Sequence, residues 1–311
     1  MKALVLGGYG AVGALVVDAV RSAHGVAIAA GRDPARADRV VDLRDLDGLR
    51  AAAADVDVVV NASGVEEPGA VAALTEGGVG VVDVTATATY VAALERLDPA
   101  APVLLSVGLA PGLTNLLAAA VHDTSPADPI DIAIVLGAGE RHGDASTRWA
   151  YGLLGRHFRD PATGEDVRNY TQRRRFALPG YGTRRLGRAD YADQHVLTRD
   201  LGVPVRTWFG LDSRLATLGL AALTWVPGAS RAPRRLPLPG GERWLVLARA
   251  QGGVTRWVAG RSEARATAEV AAAAARLAGR LPAGVHHLHA VTTLAELLAE
   301  LPLGSSIHLG P

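Results

Sequence analysis

Apolar positions change their period repeatedly along the first part of this chain. Residues 3–6 are continuously apolar, as in a parallel strand buried on both faces, and over residues 11–20 the apolar positions recur at helical spacing. The same alternation then repeats. Runs at 26–30, 39–43, 56–60, 79–82 and 103–107 read as strands, and the stretches 46–54, 68–76, 88–97 and 113–121 read as helices. Strands alternating with helices in this way predict an α/β fold, a doubly wound parallel sheet.

After residue 121 the pattern shifts. A polar, proline-bearing crossing, His122-Asp123-Thr124-Ser125-Pro126-Ala127-Asp128-Pro129, leads to a strand at 130–136. A helix is expected over 145–158, strands near 173–178 and 203–209, and an apolar helix over 214–223. Strands at 244–250 and 255–258, joined by Gln251-Gly252-Gly253, read as a hairpin. Residues 122–261 are therefore expected to form an inserted α+β domain, for substrate binding and dimerisation. The chain then turns helical from Ser262 to 277, breaks at Pro282-Ala283-Gly284-Val285, and ends in a helix over 293–301. These last helices, 262–311, are expected to complete a first domain made of 1–121.

Glycines punctuate the first strand-to-helix junction: Gly7-Gly8-Tyr9-Gly10-Ala11-Val12-Gly13. Gly8, Gly10 and Gly13 give G-x-G-x-x-G in the context the motif requires. In this reading Gly8 allows the tight turn, Gly10 lets backbone approach a pyrophosphate, and Gly13 lets helix and sheet pack closely. Free N–H groups at the helix start then face the anion. The second run ends in Gly31-Arg32-Asp33-Pro34. An acid at that strand end binds the 2′-hydroxyl of NAD, whereas an arginine pairs the 2′-phosphate of NADP. Arg32 therefore favours NADP (NADPH) over NAD, and Asp33-Pro34 reads as a helix start. Asp42 and Leu43 fall near the adenine; Asp42 either accepts from the adenine amino group or caps the helix from 46. The remaining strand ends, Asn61-Ala62-Ser63-Gly64, Asp83-Val84-Thr85 and Gly108-Leu109-Ala110-Pro111-Gly112, are set to face the same crevice.

Taken together these strand-end motifs resemble the saccharopine dehydrogenase/reductase-like family, most distinctively in the Pro111-Gly112 turn before a helix. The resemblance covers the first 120 residues well, fits the C-terminal fifth, and holds in the middle only in outline. It implies a Rossmann-type fold with cofactor contacts along Gly7–Gly13, Gly31, Arg32, Asp42, Leu43, Asn61, Ala62, Ser63, Thr85, Gly108, Pro111 and Gly112. It also implies hydride transfer to or from a carbon–nitrogen bond, of the imine reductase or secondary-amine dehydrogenase type. Two other readings stay open: reduction of a carbon–carbon double bond, as in some relatives, and an NADP-sensing regulator without turnover.

Composition narrows the chemistry. There is no cysteine, and Lys2 is the only lysine among 32 basic residues, so neither a thiolate nor an interior Schiff-base lysine is available. This departs from relatives that use a lysine–histidine pair and puts lysine or saccharopine in doubt as the substrate. An amino-acid-derived or cyclic imine fits better, since a charged iminium needs little general acid. His142, in a glycine-rich strand end, is the first candidate acid/base, or else a residue that packs its loop. Tyr191 and Asp193, in the family-like block Asp190-Tyr191-Ala192-Asp193-Gln194-His195, are further catalytic candidates, or else hold the domains together. If helical, Tyr191 and His195 share a face and Asp193 does not. The arginines 173–175 read as a solvated sheet face rather than a substrate site. His286, His287 and His289 lack a ligand spacing, and no metal site is expected. A net charge of +1 calls for neither nucleic acid nor membrane. No targeting segment is legible, and a cytoplasmic homodimer is the expected setting.

Overall fold

The computed structural model describes residues 1–139, 149–231, 240–302 and 304–310. They form two compact units, one of residues 1–112 with 264–305, the other of residues 113–263 with 306–311.

The first unit is built on a seven-stranded parallel sheet. Its strands are β1 (Lys2–Leu6), β2 (Val26–Gly31), β3 (Arg39–Val40), β4 (Val58–Asn61), β5 (Gly80–Asp83), β6 (Pro102–Leu105) and β15 (Gly284–His287), in the order β15-β6-β5-β4-β1-β2-β3. The doubly wound parallel sheet expected from the apolar runs is thus present. β1 lies inside the sheet between β4 and β2, with Ala3 to Leu6 essentially sealed from solvent, which is why that run carries no polar residue. Helix α1 (Gly13–Ser22) packs on β1 and β2, burying Val16, Val17 and Val20. The following helices are α2 (Leu46–Ala53), α3 (Pro68–Glu76) and α4 (Ala88–Leu94). Asp45 caps α2 by accepting from the Gly48 amide at 3.1 Å, and proline opens α3 where its missing N–H costs nothing. Asp33 caps only a single turn, since its Oδ1 accepts from the Ala35 amide at 3.0 Å and no helix follows.

One element of this sheet departs from the sequence reading. The segment Pro282-Ala283-Gly284-Val285, read as a helix break, leads into β15, whose Gly284 to His287 pair in register with Pro102 to Leu105 of β6. A four-residue strand containing glycine and two histidines has no period to announce it.

The second unit is a mixed seven-stranded sheet, in the order β10-β11-β12-β7-β13-β14-β16. Its strands are β7 (Ile130–Leu136), β10 (Arg174–Leu178), β11 (Gly182–Arg188), β12 (Val205–Leu211), β13 (Arg243–Ala250), β14 (Thr255–Arg261) and β16 (Ile307–Leu309). β8 (His157–Arg159) and β9 (Asp166–Arg168) form a separate antiparallel pair. The β13–β14 hairpin falls where the glycine pair predicted it. The helix expected as far as 158 stops earlier, because Gly155 adopts a left-handed φ of 74° and His157 enters β8. The helix Thr114–Thr124 packs on β7, β13 and β14, and so belongs to this unit rather than to the first. The domain boundary therefore lies at 112/113, not at 121, and the final strand β16 is likewise taken into the second sheet.

In the helix Arg214–Leu223 only part of the apolar pattern is core. Leu220 is buried, whereas Leu215 is 76% exposed and Leu218 is exposed too. On the sheet, Arg174 is held at 2.7 Å from Asp131, which also accepts from the Trp208 indole at 2.8 Å. That places one of the three serial arginines on a carboxylate and leaves Arg173 and Arg175 exposed.

Candidate functional site

The glycine turn between β1 and α1 shows which residue does what. Gly7 has a φ of 72°, and a Cβ there would sit 2.7 Å from the Ser63 Cα and 2.8 Å from the Ala62 carbonyl oxygen. The tight turn expected at Gly8 is thus made by Gly7, which takes the left-handed φ. Gly8 is needed for close packing instead, since its Cβ would fall 2.6 Å from the Cα of Ala29 in β2. Gly13 is the tightest position: a Cβ there would lie 2.1 Å from the Gly7 carbonyl oxygen. Gly10 differs from all three. Its amide donates to the Gly7 carbonyl at 2.8 Å, a methyl on its Cα would meet only that same oxygen, at 3.1 Å, and the residue is exposed. Ala11 is exposed beside it, and no side chain caps α1 at Val12. The turn therefore offers an open backbone face and uncapped amides at the start of a ten-residue helix, the arrangement that receives a pyrophosphate.

Tyr9 ties this turn to the end of β2. Its ring covers Gly31, where a Cβ would come within 2.5 Å of it, and its hydroxyl accepts from the Asp33 amide at 3.0 Å. The Arg36 guanidinium lies 4.5 Å from the ring centroid and donates to the Tyr9 carbonyl at 2.8 Å. Arg36 was missed in the sequence; the only signal was its spacing of four from Arg32. Arg32 itself is exposed, makes no hydrogen bond among the described residues, and carries a charge felt by Asp42. The Arg44 backbone N–H, ahead of the Arg44 side chain and Arg32, holds the Asp42 carboxyl below the usual range. Since Asp45 caps α2, Asp42 does not, and of its two expected roles the cap is removed. Leu43 is buried, so its side chain is core.

At the ends of β4 and β5 the polar groups are turned inward. Asn61 donates to Asp83 Oδ2 at 2.8 Å, while its own Oδ1 accepts from the Ser63 hydroxyl at 2.7 Å. Asp83 also accepts from the Tyr90 hydroxyl at 3.1 Å and the Thr85 amide at 2.9 Å. Burial pushes the Asp83 carboxyl up, against those donors. Asn61, Ser63 and Thr85 thus shape the two loops through Asp83, and Ala62 and Ser63 close on Gly7. Past β6, the Leu109 amide donates to Thr267 Oγ1 at 3.2 Å, and Gly108 and Gly112 take φ of 148° and 138°. Every cofactor candidate accordingly sits at the carboxyl edge of the first sheet, where open α/β sheets bind ligands.

The catalytic candidates fare differently. His142 lies outside the described residues. Tyr191 is not helical: it is the extended residue before the helix Ala192–Leu201, packed on Trp149 (ring centroids 4.7 Å apart) and on Phe209 (6.0 Å). His195 turns back to Asp190 Oδ1 at 2.6 Å, so the expected Tyr191–His195 face does not form. Asp193 has no exposed surface; its Oδ1 accepts from the Thr207 hydroxyl and the Gln194 amide, both at 2.7 Å. Buried in the second unit's own core, Tyr191 and Asp193 have no access to a substrate there, and the acid/base expectation for them is withdrawn. Burial raises the Asp193 carboxyl, with Thr207 and Thr114 offsetting part of the rise. The protonated form is therefore favoured on folding, and the stability it contributes is lost as pH rises through the raised value. Asp193→Asn, which keeps the acceptor for Thr207, should fold normally and be less sensitive to rising pH than the wild type. Asp193→Ala should lose about 1–3 kcal/mol. Urea unfolding over a pH series checks both.

No family model matches the chain, and no curated protein matches it by sequence. Solved structures do. Saccharopine dehydrogenase (L-Glu forming) from Saccharomyces cerevisiae superposes with a TM-score of 0.63 at 14% identity, over 99% of this chain and 98% of that one. The chain has the fold of a saccharopine dehydrogenase. That fold includes both units, so the family resemblance read from the strand-end motifs extends, as architecture, through the middle of the chain. Amine dehydrogenase from Mycobacterium smegmatis aligns over 94% of this chain and 96% of that one at 14% identity, with a TM-score of 0.48. Dihydrodipicolinate reductase from Paenisporosarcina sp. TG-14 aligns over 94% and 99% at 12% identity, with a TM-score of 0.45, and both scores are too low to bear on this chain.

Proposed function

We propose that this protein is an NADP(H)-dependent oxidoreductase acting on carbon–nitrogen bonds. The observation that carries the reading is the β1–α1 turn. Three of its glycines are fixed by packing, the fourth faces outward, and the helix behind it is left uncapped. Arg32, exposed at the end of β2 without a hydrogen bond among the described residues, supports a 2′-phosphate as the group next to the ribose. The chain's own part is to cradle the pyrophosphate with amides of residues 11–13 across the open face of Gly10, pair the 2′-phosphate with Arg32, and present loop 106–112 to the nicotinamide end. The bound cofactor supplies a hydride. The carbon–nitrogen bond is supported by the full-length likeness of fold to a saccharopine dehydrogenase and by the lack of any interior lysine, which suits an already charged iminium acceptor.

Arg32→Asp should weaken NADPH binding relative to NADH by about tenfold or more, read by nucleotide fluorescence titration. Unchanged discrimination would remove Arg32 from the 2′-phosphate. The reaction class is tested with NADPH deuterated at C4 and a panel of cyclic and amino-acid-derived imines. Deuterium should appear at the amine carbon; transfer only to enoyl substrates, or to none, would overturn the carbon–nitrogen reading.

A further inference from the structure

A chain of three polar residues, two buried and the third half-buried, sits behind loop 106–112 and has no part in the cradle described above. His287, the last residue of β15, lies beside Leu105 in the register of β6, one residue before Ser106. Its Nδ1 is 2.9 Å from Ser106 Oγ, and its Nε2 is 2.8 Å from Glu95 Oε1, just past α4. A carboxylate oxygen only accepts, so Nε2 carries the proton. With that proton on Nε2 alone, Nδ1 accepts from the Ser106 hydroxyl. The direction of the whole chain is set by Glu95, and it ends on the first residue of the loop.

Ser106 is the residue where the backbone leaves β6, and it does so at a left-handed φ of 56°, which a side chain other than glycine adopts only when held there. Its hydroxyl is buried. The loop closes on the same residue, because a Cβ on Gly112 would lie 3.2 Å from the Ser106 carbonyl oxygen. Leu109, midway, is pinned by Thr267. A buried polar chain is costly unless every member is satisfied, and here its members come from three separate parts of the sequence and converge on one backbone torsion. The geometry points to His287 as a positioning residue that, through Ser106, holds loop 106–112 in the shape required by the nicotinamide end of the cofactor. This rests on the dinucleotide reading above; it adds a residue that touches neither cofactor nor substrate.

Two substitutions separate the bonds of His287. Glutamine places its amide where Nε2 lies and can keep Glu95, whereas asparagine places its amide where Nδ1 lies and can keep Ser106. Binding is measured with NADPH and with 2′-phospho-ADP-ribose, which has the adenine end and pyrophosphate but no nicotinamide. His287→Gln and Ser106→Ala should each weaken NADPH by about tenfold while leaving 2′-phospho-ADP-ribose within about twofold, and His287→Asn should bind NADPH nearly as the wild type does. Equal losses for both ligands, as from general loss of structure, would overturn the inference. So would NADPH affinity unchanged in His287→Gln and Ser106→Ala, or His287→Asn as weak as His287→Gln. If the wild-type protein binds neither ligand, the dinucleotide reading itself falls first and the inference with it.

Discussion

Replacing Gly13 with alanine should prevent the first unit from reaching its native state, giving insoluble protein or a thermal midpoint lower by many degrees. The added methyl would lie 2.1 Å from the Gly7 carbonyl oxygen and 2.7 Å from its carbon, all backbone, so no rotamer change relieves it. Relief requires α1 to move away from β1, and α1 buries Val16, Val17 and Val20 against that sheet. Uncovering them costs about 1.5–3 kcal/mol each, against a whole-domain stability of only about 5–15 kcal/mol. Gly10→Ala is the matched control. Its methyl meets only the Gly7 oxygen at 3.1 Å and otherwise points into open space. That variant should melt close to the wild type yet bind NADPH more weakly, because the methyl occupies the face left for the pyrophosphate. Calorimetry and nucleotide titration on the pair separate a packing glycine from a binding glycine. A normally folded Gly13→Ala would show that the helix start is not held as described.

Asp160→Ala should be the most damaging change in the second unit. Arg188 is 2% exposed and Asp160 3%. The guanidinium donates to Asp160 Oδ2 at 2.8 Å and to Gln194 Oε1 at 3.0 Å, with Phe158 and Trp208 rings each 5.4 Å from its centre. Removing the carboxylate leaves a buried cation facing one amide oxygen, at a cost of about 3–5 kcal/mol. A double variant, Asp160→Leu with Arg188→Met, should recover much of that loss, since apolar side chains of similar volume need no counter-ion. Acid should mimic the single change. Burial alone would raise the Asp160 carboxyl, but the Arg188 hydrogen bond, the Ala162 amide and the Arg188 charge outweigh it and hold it below its ordinary value. A carboxyl lowered on folding contributes stability above its unfolded pKa and loses it as pH falls through the folded one. Urea midpoints of the wild type should therefore drop on the acid side, and the double variant should lack that part of the drop. Equal pH profiles in the two proteins would refute the assignment.

The first sheet was legible because its inner strands are buried on both faces. Val58 to Val60 or Ala3 to Leu6 admit no polar residue, and glycine marks where the chain turns. The same logic assigned the Gly7–Gly13 turn to a dinucleotide, although it gave the tight turn to Gly8, whereas the left-handed φ falls on Gly7. What the sequence hid was pairing across distance. Nothing near His287 announces Ser106, 181 residues away, and nothing near Asn61 announces Asp83 as the carboxyl that consumes its amide. The Tyr191–Asp193 block misled for a related reason: polar residues at close spacing suggest a site, yet Asp193 faces Thr207 in a core. Arg188 gave no sign either, because an arginine among so many others reads as surface until its burial is seen.

β15 and β16 have a consequence for how the protein is made. The first sheet runs from residue 2 to residue 105 and then waits for residues 284–287 to cover the outer side of β6. The second sheet waits longer, since β16 joins β14 only once residues 307–309 exist. During synthesis the chain thus leaves the ribosome with β6 as a bare edge, apolar along Val103 to Leu105, while the whole of 113–263 is still being added. Bare edges of that kind pair with other chains. Nascent chains halted before residue 284 should therefore depend on holding factors far more than those halted after residue 309, because residues 284–287 and 307–309 cover the β6 and β14 edges that the chain before them leaves open.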